Sequence, residues 1–350
     1  MMIWCLTLVV AVVSFMFTGI MRRYAVSRSL IDVPGARSSH IIPTPRAGGV
    51  AIVLAFLLAL PGLAYAQLIS TPDLLGIGGA GILVAIVGFF DDHHPVSVRC
   101  RLTGHFAAAL WALFWLGGLP PLHIFGMLLG SEWVGYVVGA VYLVWMLNLY
   151  NFMDGIDGIA SVEAICACLG AILLYWVMGF EQLIWLPLVL SMAVSGFLFW
   201  NFPPARIFMG DAGSGFLGIT LAGLSIQAGW ASTNLLWAWL VLLGVFIVDA
   251  TFTLIRRVSL GEKFYVAHRT HAYQYASRHF GKHLPVTMAV VAINVFWLLP
   301  IALPIALSIV LFQLDGFSCV ALAYAPLVLL AIKQGAGKPE REIKATQQDF

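Results

Sequence analysis

Charge is the first thing this chain is short of. Only 10% of its 350 residues are Asp, Glu, Lys or Arg, against about 25% in a soluble domain. Water is therefore excluded as the solvent for most of its surface. A disulfide framework is missing as well. The five cysteines (Cys5, Cys100, Cys166, Cys168 and Cys319) are odd in number and scattered, which argues against paired bridges. Cys166 and Cys168 have no His or Cys partner nearby, so ordinary helix packing is expected of them rather than metal binding. No basic residue precedes the first apolar run and no clean cleavage site follows it, so Met1 to Met21 reads as an uncleaved first span. Internal repeats, low-complexity tracts and any soluble segment of ~100 residues are absent too. One membrane domain over 1–332 is expected, with a disordered, dispensable cytoplasmic tail over 333–350.

What is present is apolar sequence. Hydrophobic residues make up 61% of the chain and mean hydropathy is +0.96. Runs long enough to cross a hydrocarbon core of about 30 Å recur at 2–21, 47–66, 74–90, 102–118, 133–149, 159–178, 183–200, 214–229, 233–255, 286–311 and 317–332. The fold class expected is all-α, a polytopic membrane helix bundle of about eleven transmembrane helices. All 18 Lys and Arg residues fall in the alternate segments 22–46, 91–101, 201–213 and 256–285 and in the tail. The opposite loops carry only acids, such as Asp73, Glu132, Glu181 and Asp315. The positive-inside bias then puts the N-terminus in the periplasm and the C-terminus in the cytoplasm.

The polar motifs gather on that basic side. Asp32 to His40 and Pro43-Thr-Pro-Arg46-Ala-Gly-Gly49 form a turn rich in Pro and Gly. It suits either a phosphate contact or a plain helix entry with snorkelling arginines. Gly88-Phe-Phe-Asp91-Asp92 ends an apolar helix with adjacent carboxylates, which repel unless a cation or donor shares them. Asn148, Asn151, Asp154 and Asp157 recur at three-residue steps and would line one face at helical pitch, while Gly155 and Gly158 admit a close ligand. Asn201 to Gly215 places Phe208 and Asp211 in a glycine-rich turn opening a helix, whose free N–H groups could hold an anion beside a metal. The longest basic-side loop carries Lys263 and His268-Arg269-Thr-His271, preceded by Asp249. It could grip phosphates or merely meet anionic headgroups.

The order PTPRAGG, GFFDD, NLYNFMDGIDG, FMGDAGSGFLG and a late His-containing loop resembles the polyprenyl-phosphate N-acetylhexosamine-1-phosphate transferases, relatives of the phospho-MurNAc-pentapeptide translocase. The likeness covers about residues 1–332. Where relatives usually carry a clustered H-x-H-H, this chain has His268-Arg-Thr-His271, a variant that looks like the O-antigen initiating enzymes of the WbpL type. The resemblance implies transfer of a 6-deoxy N-acetylhexosamine-1-phosphate (FucNAc or QuiNAc) from its UDP-sugar to undecaprenyl phosphate, with release of UMP, at the start of lipopolysaccharide O-antigen synthesis. UDP-GlcNAc is the alternative donor. The implied setting is the cytoplasmic face of the bacterial inner membrane, with a homodimer as a further expectation and no nucleic-acid partner.

The resemblance also implies roles. Mg²⁺, with Mn²⁺ able to substitute, would be held by Asp211, with Asp91 and Asp154 as further candidates. Asp91 and Asp92 would lie near the lipid phosphate. Asn151, Asp154, Gly155, Asp157 and Phe208 would form the nucleotide pocket, Phe208 stacking on uracil, with Asn148 and Asn201 in support. His268, Arg269 and His271 would grip the diphosphate or sugar, and Arg46 and Lys263 would contact phosphate. A cation is expected on physical grounds, because two unit charges 4 Å apart repel by about 4 kcal/mol at an effective dielectric near 20, and Mg²⁺ prefers carboxylate oxygens. A transporter and a membrane phosphatase are the rival classes. Transporter sites usually lie near the bilayer midplane, often between repeated halves, whereas these motifs sit at span ends.

Overall fold

The computed structural model describes residues 2–35, 39–40, 42–124, 127–129, 132–263, 268–307 and 315–338. Thirteen helices account for most of it: α1 Met2–Ser27, α2 Val50–Tyr65, α3 Thr71–His93, α4 Val98–Leu116, α5 Glu132–Met153, α6 Ile159–Met178, α7 Trp185–Asn201, α8 Asp211–Ala231, α9 Thr233–Leu242, α10 Gly244–Ser259, α11 Ala272–Phe280, α12 Leu284–Ala306 and α13 Gly316–Lys333. Two antiparallel ribbons complete the described residues, Ile31–Asp32 with Thr44–Pro45 and Leu122–Ile124 with Met127–Leu129. An almost wholly helical chain is what a hydrocarbon solvent demands, since a helix satisfies its backbone polar groups within one segment.

Local chemistry sets the ends. Ser97 accepts the Cys100 N–H at the start of α4, and Asp315 accepts that of Ser318 at the start of α13. Such side-chain caps satisfy N–H groups that have no partner within the helix. The outer faces carry exposed Leu8, Leu58, Phe114, Phe296 and Leu329, apolar groups in positions to meet lipid.

Each expected span falls on helix where it is described, residues 308–311 of the run 286–311 lying outside the described part, with one correction. The run 233–255 is not one straight helix but two, α9 and α10, bent by 70° at Leu243. Among the described residues seven helices are long and apolar enough to cross singly, eight if that bent pair counts as one, and α2 is apolar but shorter. At the centre stands α8, buried at every residue from Ala212 to Ile226 and packed against α2, α3, α4, α5 and α9. Its N-terminus, Asp211, is therefore delivered into the middle of the bundle's basic end.

A second correction concerns the third motif. Helix α5 stops at Met153, and Asp154 to Gly158 form an irregular turn. Asn148 and Asn151 share a helix, but Asp154 and Asp157 reach the site from a loop, so the three-residue spacing is not a continuous helical face. The expected tail also begins later than 333. Residues Gln334 to Lys338 pack back onto the bundle, and residues 339–350 lie outside the described part.

Candidate active site

The loops of the basic end close around a cavity of about 300 Å³. It is lined by Asp32, Ser39, His40, Arg46, Asp92, Asn151, Asp154, Gly155, Ile156, Asp157, Asn201, Phe208, Met209, Gly210, Asp211, Gln274 and His283. Backbone pairing knits the first motif to the fourth: Phe208 N–H donates to Pro45 O at 2.8 Å, Gly48 N–H to Phe208 O at 2.9 Å and Gly49 N–H to Met209 O at 2.8 Å. Asn201 joins the third motif to the fourth, accepting the Gly158 N–H and donating to Ile207 O, both at 3.0 Å. Arg46 reaches across to donate to the backbone carbonyl of Asp92.

The four acids nearest the centre differ in how far they are already engaged. Buried Asp92 accepts the N–H groups of Asp211 and Ala212 at 3.1 and 3.2 Å. It therefore caps the N-terminus of α8 from a neighbouring helix, where the helix dipole favours an anion. Asp91 turns the other way, accepting from Arg101 at 2.7 Å and from Val96 N–H at 2.8 Å, while its carboxyl also contacts that of Asp211. Asp211, at the start of α8 ahead of its apolar run, accepts from the Asn151 amide at 3.2 Å. Burial, then the Asp92 and Asp91 carboxylates, push Asp211 up to about 7. Asp154 is driven well above the ordinary carboxylate range by burial and by Asp211, Asp92 and Asp157. Crowded carboxylates of this kind are relieved by a shared cation.

Among the described residues no three His, Cys, Asp or Glu side chains surround one point closely enough to hold a metal alone. The donor set fits Mg²⁺ nonetheless, because that ion keeps several waters and takes one or two carboxylates plus substrate phosphates. Asp154 and Asp211 face the cavity as such a pair. Asp91, expected as a further ligand, is held by Arg101 and Val96 instead.

Several expected residues stand elsewhere. Asn148 donates its amide to Val144 O at 2.7 Å. Asn148, Asp91, Lys263, His268, Arg269 and His271 are not among the described residues that line the cavity. His271 lies just behind it, stacked on Phe152 with ring centres 6.5 Å apart and with its Nδ1 3.4 Å from Asp249 Oδ1. Asp249 also accepts the N–H groups of Ala272 and Tyr273 at 2.9 and 3.0 Å, fixing the start of α11. Burial, His271 and Arg257 depress His268 to about 3. That shift favours the neutral imidazole. Gly155 does line the cavity, and because a Cβ there would strike the Tyr273 hydroxyl, this glycine also makes room for a neighbouring side chain. Phe208 meets the edge of His40, ring centres 4.8 Å apart.

The lining also holds residues that sequence reasoning did not assign: Asp32, Ser39, His40, Gln274 and His283. Asp32, Ser39 and His40 stood within the first motif, and Gln274 lies three residues beyond His271. His283 gave no signal, yet its Nδ1 is 3.0 Å from Asp157 Oδ1 and its Nε2 is 3.1 Å from Ser39 O. It clasps the first and third motifs from the start of α12.

A model of glycosyl transferase family 4 matches residues 74–229. A relative from Bacillus subtilis, the probable undecaprenyl-phosphate N-acetylglucosaminyl 1-phosphate transferase, is 30% identical over 275 residues, 75% of each chain. The chain belongs to glycosyl transferase family 4. The undecaprenyl-phosphate alpha-N-acetylglucosaminyl 1-phosphate transferase of Thermotoga maritima is 26% identical over 277 residues, 78% of this chain and 81% of its own. The phospho-N-acetylmuramoyl-pentapeptide-transferase of Shouchella clausii is 29% identical over 233 residues, 62% and 69% of the two chains. This family 4 member is thus a multi-pass membrane transferase, and the matched segment runs from α3 to α8, the stretch that carries Asp92, Asp154 and Asp211.

Proposed function

We propose that this family 4 protein transfers an N-acetylhexosamine-1-phosphate from a UDP-sugar to undecaprenyl phosphate, releasing UMP, at the cytoplasmic face of a bacterial inner membrane. The observation that carries the reading is the convergence of Asp92, Asp154 and Asp211 with Arg46 and Phe208 on one cavity at the basic end of an apolar bundle. Relatives named for transfer to undecaprenyl phosphate give the same class of reaction.

Phosphoryl transfer of this kind needs charge neutralisation and in-line positioning more than covalent help. Asp154 and Asp211 would hold Mg²⁺, or Mn²⁺ in its place, which supplies neutralisation of the donor's pyrophosphate. Asn151 orients the Asp211 carboxylate. Arg46 adds a fixed cation at the cavity wall, and Phe208 offers an aromatic surface to the base. Asp92 keeps the N-terminus of α8 in place beside the reacting phosphates. Direct attack by the lipid phosphate is favoured, because no Ser or Cys at the site is paired with an evident base.

The donor sugar is a finer question. The His268-Arg-Thr-His271 variant supports a 6-deoxy sugar, FucNAc or QuiNAc, and hence an O-antigen role. The names of the relatives support GlcNAc. A panel of radiolabelled UDP-GlcNAc, UDP-FucNAc, UDP-QuiNAc and UDP-GalNAc with undecaprenyl phosphate tests both. Lipid-linked label in the butanol phase is expected, strongest with the 6-deoxy donors, stopped by EDTA and restored by Mg²⁺. Strongest label from UDP-GlcNAc moves the donor to GlcNAc. Label released only in water-soluble products overturns the transferase reading, and full turnover in chelator overturns the metal assignment.

A further inference from the structure

The chain does not leave the bundle at the end of α13. Five successive residues, Gln334 to Lys338, turn back and are built into the layer that carries the histidine loop. Gly335, Ala336 and Gly337 are buried. Gly337 N–H donates to Thr270 O at 2.8 Å, Arg256 donates to Ala336 O at 3.1 Å, and the Tyr275 hydroxyl donates to Lys338 O at 2.6 Å. The strap therefore touches α10 through Arg256, α11 through Tyr275, and the loop between them through Thr270.

Thr270 is the residue through which a contact made by the strap reaches the histidines. It stands between His268 and His271, its hydroxyl lies 3.0 Å from His268 Nδ1, and that hydroxyl also accepts from buried Arg257 at 3.4 Å. Arg257 is paired in turn with Glu262. From the other side, Asp249 holds His271 and the first two N–H groups of α11. The loop is thus gripped at His271 by α10 and at Thr270 by the strap. A loop fixed at one end only would leave the two stacked imidazoles, 4.9 Å apart, free to separate.

We propose that residues 334–338 are a positioning element of the transfer site, holding Thr270 so that His268 and His271 keep their place beside the cavity. This rests on the reading of that loop as part of the site. The residues of the strap touch no substrate themselves; they act through Thr270. Backbone bonds that cross between distant segments resist opening, and their loss shows as faster amide exchange in the segment released.

Two truncated proteins test this, one ending at Lys333 and one at Lys338, with the full chain as reference. The chain ending at Lys333 is expected to transfer at least tenfold more slowly than the one ending at Lys338, with faster amide exchange in the peptide covering 268–278. Equal turnover by the two truncated chains overturns the proposal. Should the shorter chain fail to fold, Gly337→Val in the full chain replaces it. Gly337 has φ +76°, and its added Cβ would lie 3.0 Å from Arg256 Cβ and from Thr253 O, which displaces the strap. A double-mutant cycle then separates positioning from general damage. Combined with His268→Ala, Gly337→Val is expected to cost little further activity, and fully additive losses count against action through the loop. The exchange measurement needs no substrate. A protein that transfers to no lipid, yet exchanges faster at 268–278 without the strap, refutes the transferase reading and keeps the strap. Unchanged exchange refutes the strap alone.

Discussion

At the scale of single residues, the acids of the cavity divide by what already occupies them. Asp92 and Asp91 are spoken for by N–H groups and by Arg101, whereas Asp211 presents its carboxylate to the cavity beside Asp154. Asp211→Asn keeps the size of the side chain and removes the charge. It is expected to lower transfer by at least about 100-fold, the range seen when one preorganised electrostatic group is lost, while the protein inserts and purifies normally. Wild-type turnover in that variant would remove the metal assignment. His283 makes a prediction of the opposite kind, in stability. Burial lowers its pKa, but the Asp157 carboxylate and the Ser39 carbonyl outweigh burial and raise it. A histidine raised on folding contributes fully below its unfolded value, about 6.5, and the contribution fades as pH climbs through the folded value. It amounts to on the order of 1 kcal/mol after discounting for water contact. Melting of the purified protein should therefore show a loss from pH 6 to pH 8 that His283→Gln does not share. A parallel loss in both proteins would sink the idea.

At the scale of elements, the end of α3 meets the start of α8 almost backbone to backbone. A Cβ on Gly88 would fall 2.5 Å from Ala212 N and 2.6 Å from the Asp211 carbonyl carbon, atoms that cannot step aside. Gly88→Val is expected to cost about 1–3 kcal/mol through overpacking and to abolish transfer, because Asp92 and Asp211 part. Gly223→Ala on α8 would meet only Ile77, at 3.5 Å, and should leave melting and turnover near wild type. Equal tolerance at both positions would refute the close approach. The elements also mark what sequence could and could not give. Spans were legible because hydropathy is a local property summed over a window. The 70° bend at Leu243 was not, since the apolar run through it is unbroken and no proline marks it. The loop at Asp154 was announced by Gly155 and Gly158, yet the three-residue spacing of polar groups read as helix. His283 lies far along the chain from Asp157 and Ser39, and proximity of that kind exists only after folding.

At the scale of the molecule, the distribution of charge makes a claim about direction. All 18 Lys and Arg fall in alternate segments of the sequence, and positive-inside insertion would turn the side that carries those segments, and the cavity with it, to the cytoplasm. Cys100 provides a natural reporter. It is an exposed cysteine at the start of α4, on the basic end, whereas Cys168 and Cys319 are buried and Cys166 is half-buried. With Cys5, Cys166, Cys168 and Cys319 replaced by alanine, a membrane-impermeant maleimide should label Cys100 in inside-out vesicles and spare it in intact cells. The proposed reaction requires the same orientation, since its nucleotide-sugar donor would have to meet the lipid phosphate at the surface where both are present. Labelling in intact cells but not in inverted vesicles would turn the bundle over. It would leave Asp154 and Asp211 facing a compartment without the donor, and the reaction would have to be abandoned even if every distance in the cavity were right.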